Sequence, residues 1–224
     1  MKIEIHAQDV SDIFWRNLSL RWAHGIRTWL YHLDNESSIA EQYREAADYN
    51  TGSVPSATAV ALLALGLEMK PDVAFEVGTF IGNTTRPLAL TCKDVYTCDA
   101  SNDIKLSVPH LTQYPKLTST AALERFKAEK GKKIDLLVLD GRLQPQDLEL
   151  LRELAAPNMV TALDDCYQLE KGMVNVSMLI PAQLAGPCLY VPPPRGEPFT
   201  AFGVPGGTTL GLVVPSTMLG ILQA

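Results

Sequence analysis

Short apolar runs, each followed by a glycine or an acidic residue and then by a helix-like stretch, recur along the chain after Pro71. The clearest of these runs are Val73–Val77, Val95–Cys98 and Ile134–Leu139. A mostly apolar run of this length is typical of a strand that is buried on both faces. Regular alternation of such runs with helices predicts an α/β fold, a doubly wound and mostly parallel sheet with helices on both faces.

Other elements complete this prediction. Further strands are predicted over Lys116–Ser119, Met159–Leu163, Cys188–Val191 and Leu210–Val214, the last two as an antiparallel edge hairpin in a seven-stranded sheet. Helices are predicted over Ser56–Leu67, Gly82–Leu90, Thr120–Lys130 and Pro145–Ala155. We therefore expect a Rossmann-like domain over residues 71–224, preceded by a helical extension over residues 1–70.

The helical extension contains the segment Val10–Leu33, in which apolar residues recur at helical spacing. Trp15, Trp22 and Trp29 lie seven residues apart, so they share one face of the helix. That face is expected to pack on the main domain or to form the seam of a homodimer. This segment carries Arg16, Arg21, His24 and Arg27, which argue against a membrane span.

Composition and charge narrow the class of protein. Hydrophobic residues make up 46% of the 224, enough to bury a large core, and the net charge of −6 argues against a nucleic-acid partner. The four cysteines form no CxxC pair, which favours free thiols in a reducing cytoplasm. We expect a cytoplasmic protein.

A glycine loop lies between the first predicted strand and its helix, with the sequence E-V-G-T-F-I-G-N over residues 76–83. Its GxxxG spacing differs from the GxGxxG of dinucleotide-binding folds, which weakens a nicotinamide oxidoreductase hypothesis. The loop could instead pass close to a nucleoside without phosphates. Asp99 ends the next strand, where a carboxylate can accept hydrogen bonds from both hydroxyls of a ribose. Its alternative role is that of a helix cap or loop residue.

Residues 72–85, D-V-A-F-E-V-G-T-F-I-G-N-T-T, and residues 95–101, V-Y-T-C-D-A-S, resemble the first two motifs of class I S-adenosylmethionine-dependent methyltransferases. The resemblance extends over about Thr51 to Val174. It implies that Asp99 holds the ribose of S-adenosylmethionine, that Gly52 and Ser53 reach its methionine end, and that Ser119 and Thr120 lie near its adenine. The other cofactor-binding residues implied are Glu76, Gly78, Thr79, Phe80, Gly82, Asn83, Ser101 and Asp140.

Three aspartates follow two other predicted strands: Asp140 after one strand, and Asp164 and Asp165 after the next. Neighbouring parallel strands end about 5 Å apart, so the three carboxylates are expected to converge. Because like charges repel, they need a counter-charge or a raised pKa. Mg²⁺ is a natural counter-ion, since it prefers carboxylate oxygens. The alternative is that these residues cap a helix or bind the cofactor or water.

The segments Leu139-Asp140-Gly141 and Leu163-Asp164-Asp165 resemble the metal-binding motifs of Mg²⁺-dependent O-methyltransferases. The resemblance implies a metal that holds two oxygens of a diol and lowers the pKa of one. Those enzymes have an aspartate or lysine base near position 142 or 143. Here Arg142 takes that place and is a poor base, so either the base lies elsewhere, or metal activation suffices, or the site is not an active one of this type. The catalytic candidates are Asp140, Arg142 and His110.

The sequence therefore predicts methyl transfer from S-adenosylmethionine to a small-molecule acceptor, through an oxygen and with Mg²⁺ as a further hypothesis. Two alternatives stay open. One is metal-free N- or O-methylation, in which the pocket only positions the acceptor. The other is a catalytically silent, methyltransferase-like subunit that contacts a partner protein through Val10–Leu33. Neither nucleic acid nor a membrane is expected as a partner.

Overall fold

One mixed sheet organises the residues that the computed structural model describes, which are 54, 56–101, 105–166, 171–184, 188–190 and 210–213. Its strands are, in chain order, β1 (Val73–Val77), β2 (Asp94–Asp99), β3 (Leu111–Pro115), β4 (Ile134–Leu139), β5 (Ala155–Leu163), β6 (Cys188–Tyr190) and β7 (Gly211–Val213). The helices of the described residues are α1 (Ser56–Met69), α2 (Thr85–Thr91), α3 (Ser119–Lys130), α4 (Asp147–Leu154) and α5 (Lys171–Leu179). The predicted Val10–Leu33 helix, the predicted Gly52 and Ser53 contacts and the dimer seam lie outside the described residues.

The strand order across the sheet is β3-β2-β1-β4-β5-β7-β6. Strands β1 to β5 are parallel to their neighbours among themselves, whereas β7 is antiparallel to both β5 and β6. The chain moves outward from β1 to β3 and then returns to the other side of β1 with β4. Ligands of open α/β sheets bind at the carboxyl ends of the strands where the order reverses in this way.

Alternating side chains of the central strands point to opposite faces and build two hydrophobic cores. Ala74 and Val138 belong to the core under α1 and α2, whereas Phe75 and Leu139 belong to the core under α3, α4 and α5. Each central strand is therefore covered on both faces, which is why its sequence is mostly apolar. The predicted doubly wound α/β class is confirmed.

Most element boundaries agree with the sequence prediction, but the third strand was predicted in the wrong place. It is Leu111–Pro115 rather than Lys116–Ser119. Lys116 has a φ of +57°, and Thr118 is the N-cap of α3, where its hydroxyl oxygen accepts a hydrogen bond from the Ala121 N–H at 3.3 Å. The predicted segment is therefore the connection between the strand and α3, together with the first residue of that helix.

Smaller differences affect other boundaries. Residues 82–84 form a turn before α2, α4 begins at Asp147 rather than Pro145, and β5 begins at Ala155 rather than Met159. The antiparallel pairing of β6 with β7 agrees with the predicted hairpin, with β6 at the outer edge. Among the described helices, none combines the length and the apolar character that crossing a bilayer requires.

Candidate active site

A cavity of about 370 Å³ opens at the carboxyl ends of β1, β2 and β4. Its volume lies in the range of small-molecule sites. Its walls include six residues that the sequence analysis placed in the site: Gly78, Asp99, Ser101, Ser119, Asp140 and Arg142. The cavity forms here because the strand register sets Val77 level with both Cys98 and Leu139, so the three following loops lie side by side.

Gly78 allows the loops after β1 and β4 to touch. Its φ is +104°, a conformation that side chains oppose. A Cβ atom at this position would lie 2.9 Å from the carbonyl carbon of Asp140. The Gly78 N–H also donates to the Cys98 carbonyl oxygen at 2.8 Å, which joins the loop to the end of β2. Glycine at this position is therefore a requirement of the cavity wall.

Asp99 is held in the cavity wall by three hydrogen bonds from its neighbours. Its Oδ2 accepts from the Phe80 N–H at 2.8 Å, and its Oδ1 accepts from the Ser101 N–H at 2.9 Å and the Ser101 hydroxyl at 3.0 Å. Phe80 thus acts through its backbone, which has a φ of +40°. The carboxylate is therefore held in one orientation before any ligand arrives.

Glu76 lies beneath the glycine loop rather than in the cavity wall. It is fully buried and accepts hydrogen bonds from the hydroxyls of Thr84, Thr85 and Thr97, the last two at 2.5 Å. The Thr79 and Thr97 hydroxyls lie 2.6 Å apart and extend this network. Burial raises the pKa of Glu76 from 4.5 to about 7, against the lowering effect of the three hydroxyls. Glu76 therefore supports the loop from below and does not touch the cavity.

The second half of the glycine loop is also turned away from the cavity. Gly82 and Asn83 are buried and are not among the lining residues. Arg86, only 2% exposed, donates from Nη1 to the carbonyl oxygens of Ile81 at 3.1 Å and Gly82 at 3.0 Å. Sequence reasoning did not find Arg86, because an arginine in the first turn of a helix is ordinarily exposed.

Ser119 and Thr120 are both bonded to a carboxylate that the sequence analysis did not single out. Asp147 is fully buried, and it accepts hydrogen bonds from both hydroxyls at 2.5 Å and from the Gln144 N–H at 2.7 Å. Ser119 also lines the cavity, whereas Thr120 does not. Asp147 thus joins the start of α3 to the loop before α4 and shapes the side of the cavity where the adenine contact was predicted.

The structure brings Asp140, Asp164 and Asp165 together. One carboxylate oxygen from each lies within 4.8 Å of the others. Asp165 has a φ of +54°, so β5 has ended and consecutive aspartates can point to one place. Burial raises the pKa of Asp140 well above its usual range, and the nearby Asp164 adds to this effect. Asp140 also lines the cavity, so the cluster adjoins it.

A lysine that the sequence analysis did not identify contacts this cluster. Lys171 Nζ lies 2.6 Å from Asp140 Oδ1 and 2.9 Å from Asp165 Oδ2. Burial opposes the charge on Lys171, but its contacts with these two carboxylates raise its pKa above its usual range. The chain itself therefore supplies one positive charge to the three converging aspartates.

Asn175, one turn further along α5, clamps the loop that follows Asp140. Its side chain is fully buried; Oδ1 accepts from the Leu143 N–H at 3.0 Å, and Nδ2 donates to the Gly141 carbonyl oxygen at 2.9 Å. Arg142 lies between the two clamped residues, and its exposed side chain lines the cavity.

His110 does not belong to this site, which corrects its selection as a catalytic candidate. It is exposed, and its carbonyl oxygen accepts from the Val95 N–H at 3.0 Å, near the amino end of β2. Asp99 and the cavity lie at the carboxyl end of the same strand. A residue that precedes a parallel strand lies at the opposite edge of the sheet from the residues that follow it, so His110 cannot reach the cavity.

Comparison with known proteins finds similar solved structures but no similar sequence family. The sequence matches no protein-family model and no curated protein. The structure is similar to that of an O-methyltransferase from Bacillus cereus in complex with SAH, with a TM-score of 0.58 and 19% identity, covering 80% of this chain and 91% of the other. It is also similar to the O-methyltransferase TomG from Streptomyces achromogenes, involved in tomaymycin synthesis and in complex with SAM (TM-score 0.54, 16% identity, 80% and 87% covered). The chain therefore has the Rossmann-like fold of the class I S-adenosylmethionine-dependent methyltransferases.

Proposed function

We propose that this protein transfers a methyl group from S-adenosylmethionine to an oxygen atom of a small-molecule acceptor. The observation that carries the proposal is Asp99, a carboxylate held by three hydrogen bonds at the end of β2 and facing the cavity beside Gly78. The similar O-methyltransferase structures contain SAM or SAH. These structures support the proposed cofactor because they share the fold of this chain.

The residues of the cavity fit this cofactor. The Asp99 carboxylate suits the two hydroxyls of a ribose, and Leu117 provides an apolar wall close to Ser119 for a base. The backbone at Gly78 leaves room for a close approach, since no side chain projects there. S-adenosylmethionine would supply a methyl group activated by its sulfonium.

The acceptor is assigned to the side of the cavity that adjoins the acidic cluster. Asp140 belongs to both, so an acceptor between them would lie next to the carboxylates and to Lys171. An acceptor hydroxyl must give its proton to a base, which makes the oxygen negatively charged. This oxygen then bonds to the methyl carbon as the carbon–sulfur bond breaks and SAH leaves. Carboxylates that can take a proton and a cation that can hold the charged oxygen are the groups that this step requires.

Two cations are candidates for holding the charged oxygen, Mg²⁺ and the Lys171 ammonium. Three carboxylate oxygens within 4.8 Å of one another support the Mg²⁺ that the resemblance implies. The Lys171 ammonium argues against it, because two of the three aspartates already pair with that charge.

Calorimetric titration of S-adenosylmethionine into the wild-type protein and the Asp99→Ala variant tests the cofactor assignment. A hydrogen bond to a charged group contributes about 1.5–3 kcal/mol, so losing the carboxylate should weaken binding by at least about tenfold. Asp94→Asn is the matched control, because Asp94 lies at the other end of β2 and pairs with Lys132 at 2.8 Å. Folded wild-type protein that does not bind S-adenosylmethionine, or Asp99→Ala that binds it as tightly as the control, would contradict the proposal.

Measuring SAH release with a panel of small phenols, diols and amines then tests the acceptor class. Turnover with hydroxyl acceptors supports the assignment to oxygen. Turnover with amines alone would contradict that assignment and favour N-methylation.

A further inference from the structure

We propose that the Lys171 ammonium is the resident cation of the Asp140, Asp164 and Asp165 cluster, in the place where the family resemblance implies Mg²⁺. The cluster then works without a divalent metal. The proposal rests on the proposed function only in assigning the cluster to the acceptor side of the site. Its geometry and its test stand without that assignment.

The first support is where the ammonium lies. Its nitrogen is 2.6 Å from Asp140 Oδ1 and 2.9 Å from Asp165 Oδ2, and an ammonium has three N–H donors to direct at such oxygens. Mg²⁺ requires oxygens at about 2.0–2.1 Å in octahedral geometry. A metal bound to Asp140 and Asp165 would share its ligands with Lys171, and the two cations would repel each other.

The second support is that the backbone next to Lys171 packs closely against the backbone of the cluster. A Cβ atom at Gly172 would lie 2.2 Å from the Asp164 carbonyl oxygen and 2.8 Å from the Asp165 carbonyl carbon. The first turn of α5 therefore rests directly on the backbone that carries these two aspartates. Any other residue at position 172 would force the helix and its lysine away from the cluster.

The third support comes from the next turn of α5. Asn175 is four residues after Lys171, so both side chains lie on one face of the helix. Its two hydrogen bonds, to Leu143 and Gly141, attach that face to the loop after Asp140. Contacts on both sides of the cluster thus place α5, and with it the Lys171 ammonium, beside the carboxylates.

The experiment titrates Mn²⁺, a paramagnetic substitute for Mg²⁺, into the protein and measures free Mn²⁺ by electron paramagnetic resonance. The variants are Lys171→Met, which keeps the length of the side chain without its charge, and Lys127→Met, a control that removes an exposed lysine paired with Glu153. Wild type and Lys127→Met should bind Mn²⁺ weakly. Lys171→Met should bind at least about tenfold more tightly, because the carboxylates lose their resident cation.

Two further variants make the result specific. Lys171→Gln repeats the charge removal with a polar side chain, in case Lys171→Met does not fold. Adding Asp164→Asn to whichever Lys171 variant folds should abolish the gain in Mn²⁺ binding. Tight Mn²⁺ binding by the wild type, or no gain in either Lys171 variant, would overturn the proposal.

Calorimetric binding of S-adenosylmethionine in EDTA separates this proposal from the proposed function. Wild-type protein should bind the cofactor equally well with EDTA and with Mg²⁺. A loss of binding in EDTA would overturn the assignment of Lys171 as the resident cation. Failure to bind in both buffers would refute the proposed function alone, since the Mn²⁺ titration reports on the cluster independently.

Discussion

The buried carboxyl group of Glu76 should make the stability of this protein depend on pH across the mildly acidic range. Burial raises its pKa from 4.5 to about 7 in the folded protein. The folded state therefore keeps a proton that the unfolded chain releases between these two values. The stabilising effect is fully present below pH 4.5 and is lost as the pH rises to about 7. The free energy of unfolding should fall by about 1.4 kcal/mol per pH unit, or about 3 kcal/mol in total.

The Glu76→Gln variant removes this titration and leaves a side chain of the same shape. Threonine hydroxyls both donate and accept, so Thr84, Thr85 and Thr97 can still bond to the amide. Urea unfolding at several pH values between 4.5 and 7.5 gives the free energy of unfolding of each protein. The difference in the free energy of unfolding between wild type and Glu76→Gln should change by about 3 kcal/mol across this range. Other titrating groups contribute equally to both proteins, so taking the difference cancels them.

Glu124→Gln is the matched control, because Glu124 is exposed on α3. The free energy of unfolding of Glu124→Gln should change with pH in parallel with that of the wild type. If Glu76→Gln also runs parallel to the wild type, Glu76 titrates alike in the folded and unfolded states. The reasoning from burial would then be refuted.

Three other substitutions test the site. Asn175→Leu should lower the free energy of unfolding by about 2 kcal/mol in urea, since the buried Leu143 N–H and Gly141 carbonyl lose their partners; no loss would mean that these groups find others. Gly78→Ala should weaken S-adenosylmethionine binding at least about tenfold by calorimetry, because the new Cβ separates the loops of the cavity; unchanged affinity would place the cofactor elsewhere. His110→Ala should leave cofactor binding and turnover as in the wild type, and a large loss of turnover would contradict its place at the opposite edge of the sheet.

The central strands could be predicted from the sequence with their boundaries. The predicted runs Val73–Val77 and Ile134–Leu139 coincide with β1 and β4, because a strand covered by helices on both faces is mostly apolar along its length. The strand Leu111–Pro115 was missed, since it lies at the edge of the sheet and tolerates Thr112 and Gln113. A short polar run of this kind carries little local signal for a strand.

Part of the site could also be predicted. Gly78, Asp99 and Asp140 each follow or end a buried strand, and the carboxyl ends of parallel strands meet at one edge of the sheet. That rule needs only the position of the residue next to its strand. The rule does not apply to Glu76, which lies one residue before the end of its strand and is buried beneath the loop.

The sequence by itself determined the fold class, the edge of the sheet that carries the cavity and the convergence of the three aspartates, because periodicity and strand ends are local properties. Only the tertiary structure decided that Lys171 pairs with the cluster and that Asn175 clamps the loop after Asp140. The bonded partners of Asn175 lie 32 and 34 residues away along the chain. Which polar side chain on a helix turns inward depends on the packing of that helix against loops distant in sequence, and no local pattern encodes it.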